Sequence, residues 1–248
     1  MRRQEFLLLA GVFLVVTSIL FLLYSSFPEL DEHEKADLKL PRNVEEAKRL
    51  GLVLSKYKND HFYTVLLGIA TVYIILQSLA IPGSIFLSVL SGYLFPFYTA
   101  LLLVCLCSAL GALICYFLSF SIGRKLIMSY IPDRIEKWQN EIASFEGYLF
   151  FYVVFLRVTP ILPNWFINIA SPIVDVPAHI FFFGTFFGVA PPSFIFIQAG
   201  TTLQRLTSAN FMWSWTSTAT IAISALVSLL PIIYQRYLSM SSAKAKHA

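Results

Sequence analysis

Long apolar runs, interrupted at a few definite places, dominate this chain. Phe6 to Tyr24 is a 19-residue apolar run preceded by Arg2 and Arg3. That pattern fits a signal peptide or an uncleaved anchor, and its length, with no small-residue cleavage site after it, favours an anchor over residues 1–27. Residues 28–61 form a polar stretch, read as a solvated loop or a short surface helix. Its segment from Pro28 to Asp60 carries eight acidic and seven basic residues that nearly cancel. Between Asp60 and Arg124 there are then 63 consecutive residues with no Asp, Glu, Lys or Arg, about three times what one membrane helix needs.

That stretch is not uniform. Phe62 to Phe97 is broken at Ile81-Pro82-Gly83-Ser84 and ends at Phe95-Pro96-Phe97, whereas Tyr98 to Ile122 is uninterrupted and stops at Arg124-Lys125. An unpaired backbone group in hydrocarbon costs several kcal/mol, so a Pro-Gly break at membrane depth has to face protein or a wet cavity. Residues 132–146 set Ile135, Trp138, Ile142 and Phe145 opposite charged positions. This predicts an amphipathic helix of ~22 Å, started by Pro132, that lies in the membrane interface or packs on the protein as a connector. Tyr148 to Ala170 is interrupted in turn by Arg157, Pro160, Pro163 and Asn164. His179 to Ala199 and Thr216 to Tyr234 read as two further spans.

The interruptions recur. Pro82 and Pro96 are 14 apart, as are Pro163 and Pro177; Gly111 and Gly123 are 12 apart, as are Gly188 and Gly200. A unit of broken segment, outgoing arm and spanning helix therefore occurs twice. If each broken segment enters and leaves by one face, the single span between the copies makes them enter from opposite faces, as in inverted-repeat transporters. The fold expected is an all-α integral membrane protein, a polytopic helical bundle with two opposed re-entrant hairpins, near 67–97 and 148–177, in an inverted repeat. Placing both termini in the cytoplasm puts nine basic residues inside and leaves Arg205 alone in the opposite short loop.

Composition narrows the function. Charged residues make up 13% of the chain, roughly half of what a soluble domain carries. The net charge of +4 is scattered in small clusters rather than along one face, which argues against nucleic acid as a partner. Cys105, Cys107 and Cys115 lie in one apolar run with no His at ligand spacing, so they are expected as small buried hydrophobes and no metal site is expected. The phosphate-loop, nucleophile-elbow and His-Glu-x-x-His patterns do not occur. The chain is therefore expected to do no covalent chemistry and to carry no cofactor.

Arg157 is the sharpest candidate, because an arginine at a membrane helix centre costs roughly 2.5–3.5 kcal/mol even on a lenient scale. Asp175 is the only other charged residue between Glu146 and Arg205. With a hairpin tip near Leu162, the two differ in depth by ~12 Å, too far to pair. The guanidinium is expected instead on tip carbonyls, on Asn164 or Asn168, or on a phosphate drawn into a polar groove, either binding head groups or clamping the hairpin. Asp175 is expected to cap the helix after Pro177. Gln77 is a candidate for hairpin hydrogen bonding or a ligand, and Gly111, Gly188 and Gly200 for close helix packing. The candidate head-group groove is thus Arg157, Asn164, Asn168 and Gln77, with hairpin breaks at Pro82, Gly83, Pro160 and Pro163.

These motifs are familiar. Ile81-Pro82-Gly83-Ser84-Ile85-Phe86-Leu87, Phe155-Leu156-Arg157-Val158-Thr159-Pro160, Pro163-Asn164-Trp165-Phe166-Ile167-Asn168 and Gly184-Thr185-Phe186-Phe187-Gly188-Val189-Ala190-Pro191-Pro192-Ser193-Phe194 resemble the VTT domain of the DedA superfamily. Within it they are closest to the stasimon group, transmembrane protein 41, nearer its B form than its A form, over roughly residues 62–207. The remaining 208–248 would be a membrane helix and a basic cytosolic tail. The resemblance implies a multi-pass endoplasmic reticulum protein that scrambles phospholipids between leaflets without ATP. It also implies support for autophagosome formation and lipid mobilisation, with phospholipids and other autophagy or lipid-handling membrane proteins as partners. It matches Arg157 and Pro160 to the second-hairpin arginine and proline of the superfamily. Gln77 and Ser84 stand where bacterial members carry acidic residues, which weakens the alternative of an ion- or proton-coupled transporter. A non-catalytic membrane scaffold is the other alternative. Lys244-Ala245-Lys246-His247-Ala248 resembles a Lys-x-Lys-x-x retrieval signal, or is merely a basic tail.

Overall fold

The computed structural model describes residues 3–26, 31–144, 146–159 and 162–207. Pro160, the expected span 216–234 and the Lys-x-Lys-x-x tail lie outside them. The described residues form helices joined by short turns and connections, without strands. In chain order they form α1 (Arg3–Ser26), α2 (Glu32–Asp37), α3 (Val44–Lys58), α4 (Phe62–Ser78), α5 (Ser84–Leu94) and α6 (Phe97–Leu118). After a five-residue π-helical stretch, Ser119–Gly123, come α7 (Arg124–Tyr130), α8 (Pro132–Ala143), α9 (Leu149–Val158), α10 (Asn164–Ala170), α11 (Ala178–Gly188) and α12 (Ala190–Thr207). Two continuous runs, Phe97–Tyr130 and Ala178–Thr207, are long and apolar enough to cross a membrane. Both outrun their sequence-based bounds. Arg124 does not end the first span, because the π-helical turn carries the chain on into α7. Arg205 sits in the last turn of α12 rather than in a loop.

α6 is the spine shared by two cores. Its first half gives Ala100, Val104 and Cys107 to a core with Leu54 of α3, Ile69 and Tyr73 of α4, Leu90 of α5 and Ile197 of α12. Its second half gives Ala112 and Tyr116 to a core with Val153 of α9, Ile167 of α10 and Phe181 of α11. Leu102, Leu106, Leu110, Ile114 and Phe117, at steps of four and three, stay exposed along the opposite edge as an apolar stripe. The three cysteines are free and buried.

The polar stretch is more ordered than its composition suggests. Asn43 caps α3 by accepting from the Glu46 amide at 2.8 Å, Glu45 and Glu46 lie in the first turn, and Lys56 and Lys58 in the last, all suited to the helix dipole. α3 buries Ala47, Leu50, Gly51, Val53 and Leu54 and lies against α5, where a Cβ on Gly51 would be 2.7 Å from the Tyr93 ring. Lys58 Nζ donates to the Leu94 carbonyl at 2.8 Å, satisfying one orphan acceptor at the α5 C-terminus. α2 is held to α3 by Glu34, which accepts from Lys56 Nζ at 2.5 Å and Tyr57 OH at 2.6 Å.

Each interruption has its own local chemistry. α4 closes with Ala80 at φ 57° and Ile81 N–H donating to the Leu76 carbonyl at 2.9 Å, a left-handed close of the Schellman kind. Pro82 then prevents the helix from resuming, and Gly83, at φ 124°, turns the chain into α5 where a side chain would be strained. α9 ends at Val158, and Pro163, extended at φ −61°, ψ 140°, starts α10. The close after α10 repeats the first: Asp175 is at φ 61°, Val176 N–H donates to the Ser171 carbonyl at 3.1 Å, and Pro177 follows.

Asp175 does not cap α11. The residue preceding α11 is Pro177, with no side-chain cap, because the left-handed turn at Asp175 directs its carboxylate elsewhere. It pairs with Arg124 at 2.5 Å and 3.0 Å. The amphipathic helix α8 starts with Pro132 at its first position, as expected, but ends at Ala143. It buries Ile135 completely, leaves Trp138 half-exposed, and donates from Gln139 Nε2 to the Ile173 carbonyl at 3.0 Å. One face therefore packs on protein while the tryptophan remains free.

Candidate functional site

Arg157 leaves the last turn of α9 into the space between α10 and α11. Its Nη2 donates to Asn168 Oδ1 at 2.7 Å and to Thr185 Oγ1 at 3.0 Å. Its Nη1 donates to the backbone carbonyl and the Oδ1 of Asn164, both at 3.3 Å. The guanidinium carbon lies 5.2 Å from the centre of the Phe181 ring, in range for cation–π attraction. The backbone approach that makes this possible depends on Gly188, where a Cβ would stand 2.6 Å from Arg157 Cβ.

Three of the four expected groove residues thus meet. Gln77 is not among them; it lies on α4 against α6, where a Cβ on Gly111 would be 2.6 Å from Gln77 Cβ. Thr185 and Phe181 were not singled out from the sequence. The available signal was the position of Thr185 three residues before Gly188, on the face of α11 that meets α9.

Electrostatically the site is unbalanced. Among the described residues Arg157 has no carboxylate partner, since Asp175 is engaged by Arg124. Arg157 is 5% exposed and Asn168 and Thr185 are buried, whereas Asn164 is exposed. The cluster is therefore a buried cation connected to the surface at the broken end of α10. Two buried donors, Arg157 Nε and Asn168 Nδ2, have no acceptor among the described residues. Each buried donor left unmatched costs about 1–3 kcal/mol. An oxygen-rich anion would match both and neutralise the guanidinium.

The first broken segment repeats this arrangement with milder groups. Ser84 and Ser88 occupy the first and fifth positions of α5, as Asn164 and Asn168 do in α10. Ser108 precedes Gly111 by three residues, as Thr185 precedes Gly188. Gln77 rests on Gly111 as Arg157 rests on Gly188. Here the Tyr73 hydroxyl, one turn before Gln77, bridges the others, 3.2 Å from Ser88 Oγ and 3.1 Å from Ser108 Oγ. The hydroxyls satisfy one another, and no charge is present.

The VTT domain model matches residues 81–202, which contain both breaks and every member of the Arg157 cluster. A transmembrane protein 41 homolog of Caenorhabditis elegans is 53% identical over 227 residues, covering 92% of each chain. The chain belongs to the transmembrane protein 41 family. The family's B forms from Xenopus laevis and Homo sapiens are 51% and 50% identical over 236 residues, covering 95% of this chain and 85% and 81% of theirs. No solved structure matches. Membership makes the chain a membrane protein, and the exposed apolar stripe of α6 and the exposed Phe183 and Phe187 of α11 are of the chemistry that a lipid environment accommodates.

Proposed function

We propose that the chain is an ATP-independent phospholipid scramblase of the endoplasmic reticulum, moving lipids between leaflets without covalent chemistry or a cofactor. In this reading it supports autophagosome formation and lipid mobilisation, with phospholipids and lipid-handling membrane proteins as its partners. The two broken segments dip into the bilayer from opposite faces as an inverted repeat, both termini are cytosolic, and the C-terminal Lys-x-Lys-x-x serves retrieval. The like placing of polar residues on the Gln77 and Arg157 arms, one residue out of step with the proline spacing, supports the repeat. Head groups slide along the polar breaks while acyl tails stay in hydrocarbon, and no energy source is needed.

The observation that carries the reading is the buried Arg157, with no carboxylate partner among the described residues and with its own Nε and Asn168 Nδ2 unmatched, at a helix break that reaches the surface. A phosphodiester passing the break supplies the oxygens these donors lack, and replaces hydration that it would otherwise lose in the membrane. Asn164, on the exposed side, meets it first.

The test uses purified full-length protein in liposomes carrying a fluorescent phospholipid and a membrane-impermeant quencher. Quenching of the inner-leaflet probe without ATP or an ion gradient is expected, with Arg157→Ala slowing exchange at least tenfold more than Asp175→Ala. Probe protection identical to protein-free liposomes overturns the reading, and solute uptake driven by an ion gradient replaces it with coupled transport.

A further inference from the structure

The first core is incomplete on the side of α1. An apolar cavity of about 250 Å³, open at one side, lies between α1, the 38–41 strap, α3, α4 and α5. Leu20 and Leu23 of α1, Leu54 of α3, Ile69 of α4 and Leu87 of α5 are among the side chains lining it, and among the described residues Lys39 is the one charged residue that does. We propose that this cavity seats one acyl chain of an anionic phospholipid, whose phosphate rests on Lys39.

Water is a poor occupant, because it needs two to four polar partners and an apolar cavity of ~150 Å³ already stays dry and takes up hydrocarbon. A slender alkyl chain fits, and in a membrane protein hydrocarbon is the surrounding solvent. Charge selects the head group. Lys39 Nζ forms a loose ion pair with Glu46 Oε1 at 3.9 Å, its side chain 58% exposed, a solvated contact too weak to hold the ammonium against a phosphate oxygen. It is thus available to a phosphate oxygen at the open side. The opening also leaves room for the second acyl chain outside, which favours a phospholipid over a free fatty acid. The bound tail completes the packing of α1 on α4, and the site is separate from the Arg157 cluster.

The full-length protein, in nanodiscs of phosphatidylcholine and phosphatidylserine, is photolabelled with phosphatidylserine carrying a diazirine in one acyl chain, and labelled peptides are mapped by mass spectrometry. Labels are expected within residues 18–23 and 65–72. Val72→Trp, which fills the cavity from α4, is expected to cut that labelling at least fivefold. Lys39→Glu, on an exposed side chain, is expected to cut phosphatidylserine labelling at least threefold while leaving phosphatidylcholine labelling unchanged. Undiminished labelling in Lys39→Glu overturns the proposal, even if Val72→Trp fails to fold, and so does stronger labelling by a diazirine fatty acid than by the phospholipid. The readout is the position of a covalent label rather than a rate of exchange, so its failure and that of the scramblase reading are distinguishable.

Discussion

Gly92 and Gly200 hold α5 and α12 in backbone-to-backbone contact: a Cβ on Gly92 would fall 2.1 Å from the Ile197 carbonyl oxygen, and one on Gly200 would fall 1.9 Å from that of Val89. Thr201 Oγ1 donates to the Gly92 carbonyl at 3.1 Å across the same crossing. In lipid no hydrophobic drive brings helices together, so close approach at small residues takes its place. Neither helix can yield locally, because the obstructing atom in each case is backbone. Gly92→Ala and Gly200→Ala are each expected to destabilise the protein by at least about 2 kcal/mol. The expected result is a fall in melting temperature in detergent for both, larger than for Gly11→Ala, whose Cβ would meet nothing within 4 Å.

The guanidinium of Arg157 reaches Asn164, Asn168 and Thr185 together because it is a fork. A lysine keeps the charge but is a single point donor. Arg157→Lys is therefore expected to retain folding and to slow phospholipid exchange at least fivefold, and exchange at the wild-type rate would remove the fork from the mechanism. Asn168→Leu should destabilise by about 1–3 kcal/mol, since it strips a buried charged donor of its shortest partner.

Gly188 and Gly111 separate packing from transport. A methyl at Gly188 presses on the stem of Arg157, whereas one at Gly111 presses on Gln77 and on the Ile74 carbonyl. Both alanine variants should melt lower than the native chain. At a temperature where both remain folded, exchange should be slower in Gly188→Ala than in Gly111→Ala, and the reverse order would shift the pathway to the first broken segment.

Much of this was legible beforehand. Pro82-Gly83 and Pro163 announce breaks because proline removes a helix N–H and, near a glycine or a second proline, the chain readily turns, and a lone arginine in an apolar stretch announces a polar site. The partnership of Arg124 with Asp175 was not legible. The two are 51 residues apart, and the pairing depends on the π-helical turn at Ser119–Gly123 and on the left-handed backbone of Asp175. The burial of α3 was hidden for a different reason: its apolar positions, Leu50, Val53 and Leu54, are diluted among charges that a composition count reports as solvated.

The conformation of Asp175 separates two contributions to stability. Asp tolerates φ near 60° better than Ala, and glycine adopts it freely. Asp175→Gly loses only the partly exposed ion pair with Arg124 and should change the melting temperature little. Asp175→Ala also incurs a left-handed penalty of about 1–2 kcal/mol and should melt below the glycine variant. Equal melting temperatures would mean that the turn relaxes.

The α2–α3 contact should respond to pH at both ends. Hydrogen bonds from Lys56 and then Tyr57 hold the Glu34 carboxyl below its ordinary 4.5. Its stabilising contribution is therefore present above pH 4.5 and is lost as the pH falls below that value through the lowered one. The same contact pushes the Tyr57 phenol up to about 12 from 10.0, so that contribution is complete below pH 10 and is lost as the pH rises toward 12. Amide protection across residues 32–58, corrected for intrinsic exchange, should pass through a plateau between these limits. Glu34→Gln should flatten the acid side.

The linear chain alone determined that this is a helical membrane protein, where its helices break and which side chain is too costly to lie in lipid unless something compensates it, because hydropathy, proline and charge act locally. Tertiary structure alone decided which groups answer that cost. Asn168 and Thr185 reach Arg157 only once Gly188 lets α9 and α11 touch, and Asp175 is taken by Arg124 only once α6 and its continuation pass beside the 171–176 turn. Such contacts depend on how helices distant in sequence are brought together, and no local periodicity encodes that distance.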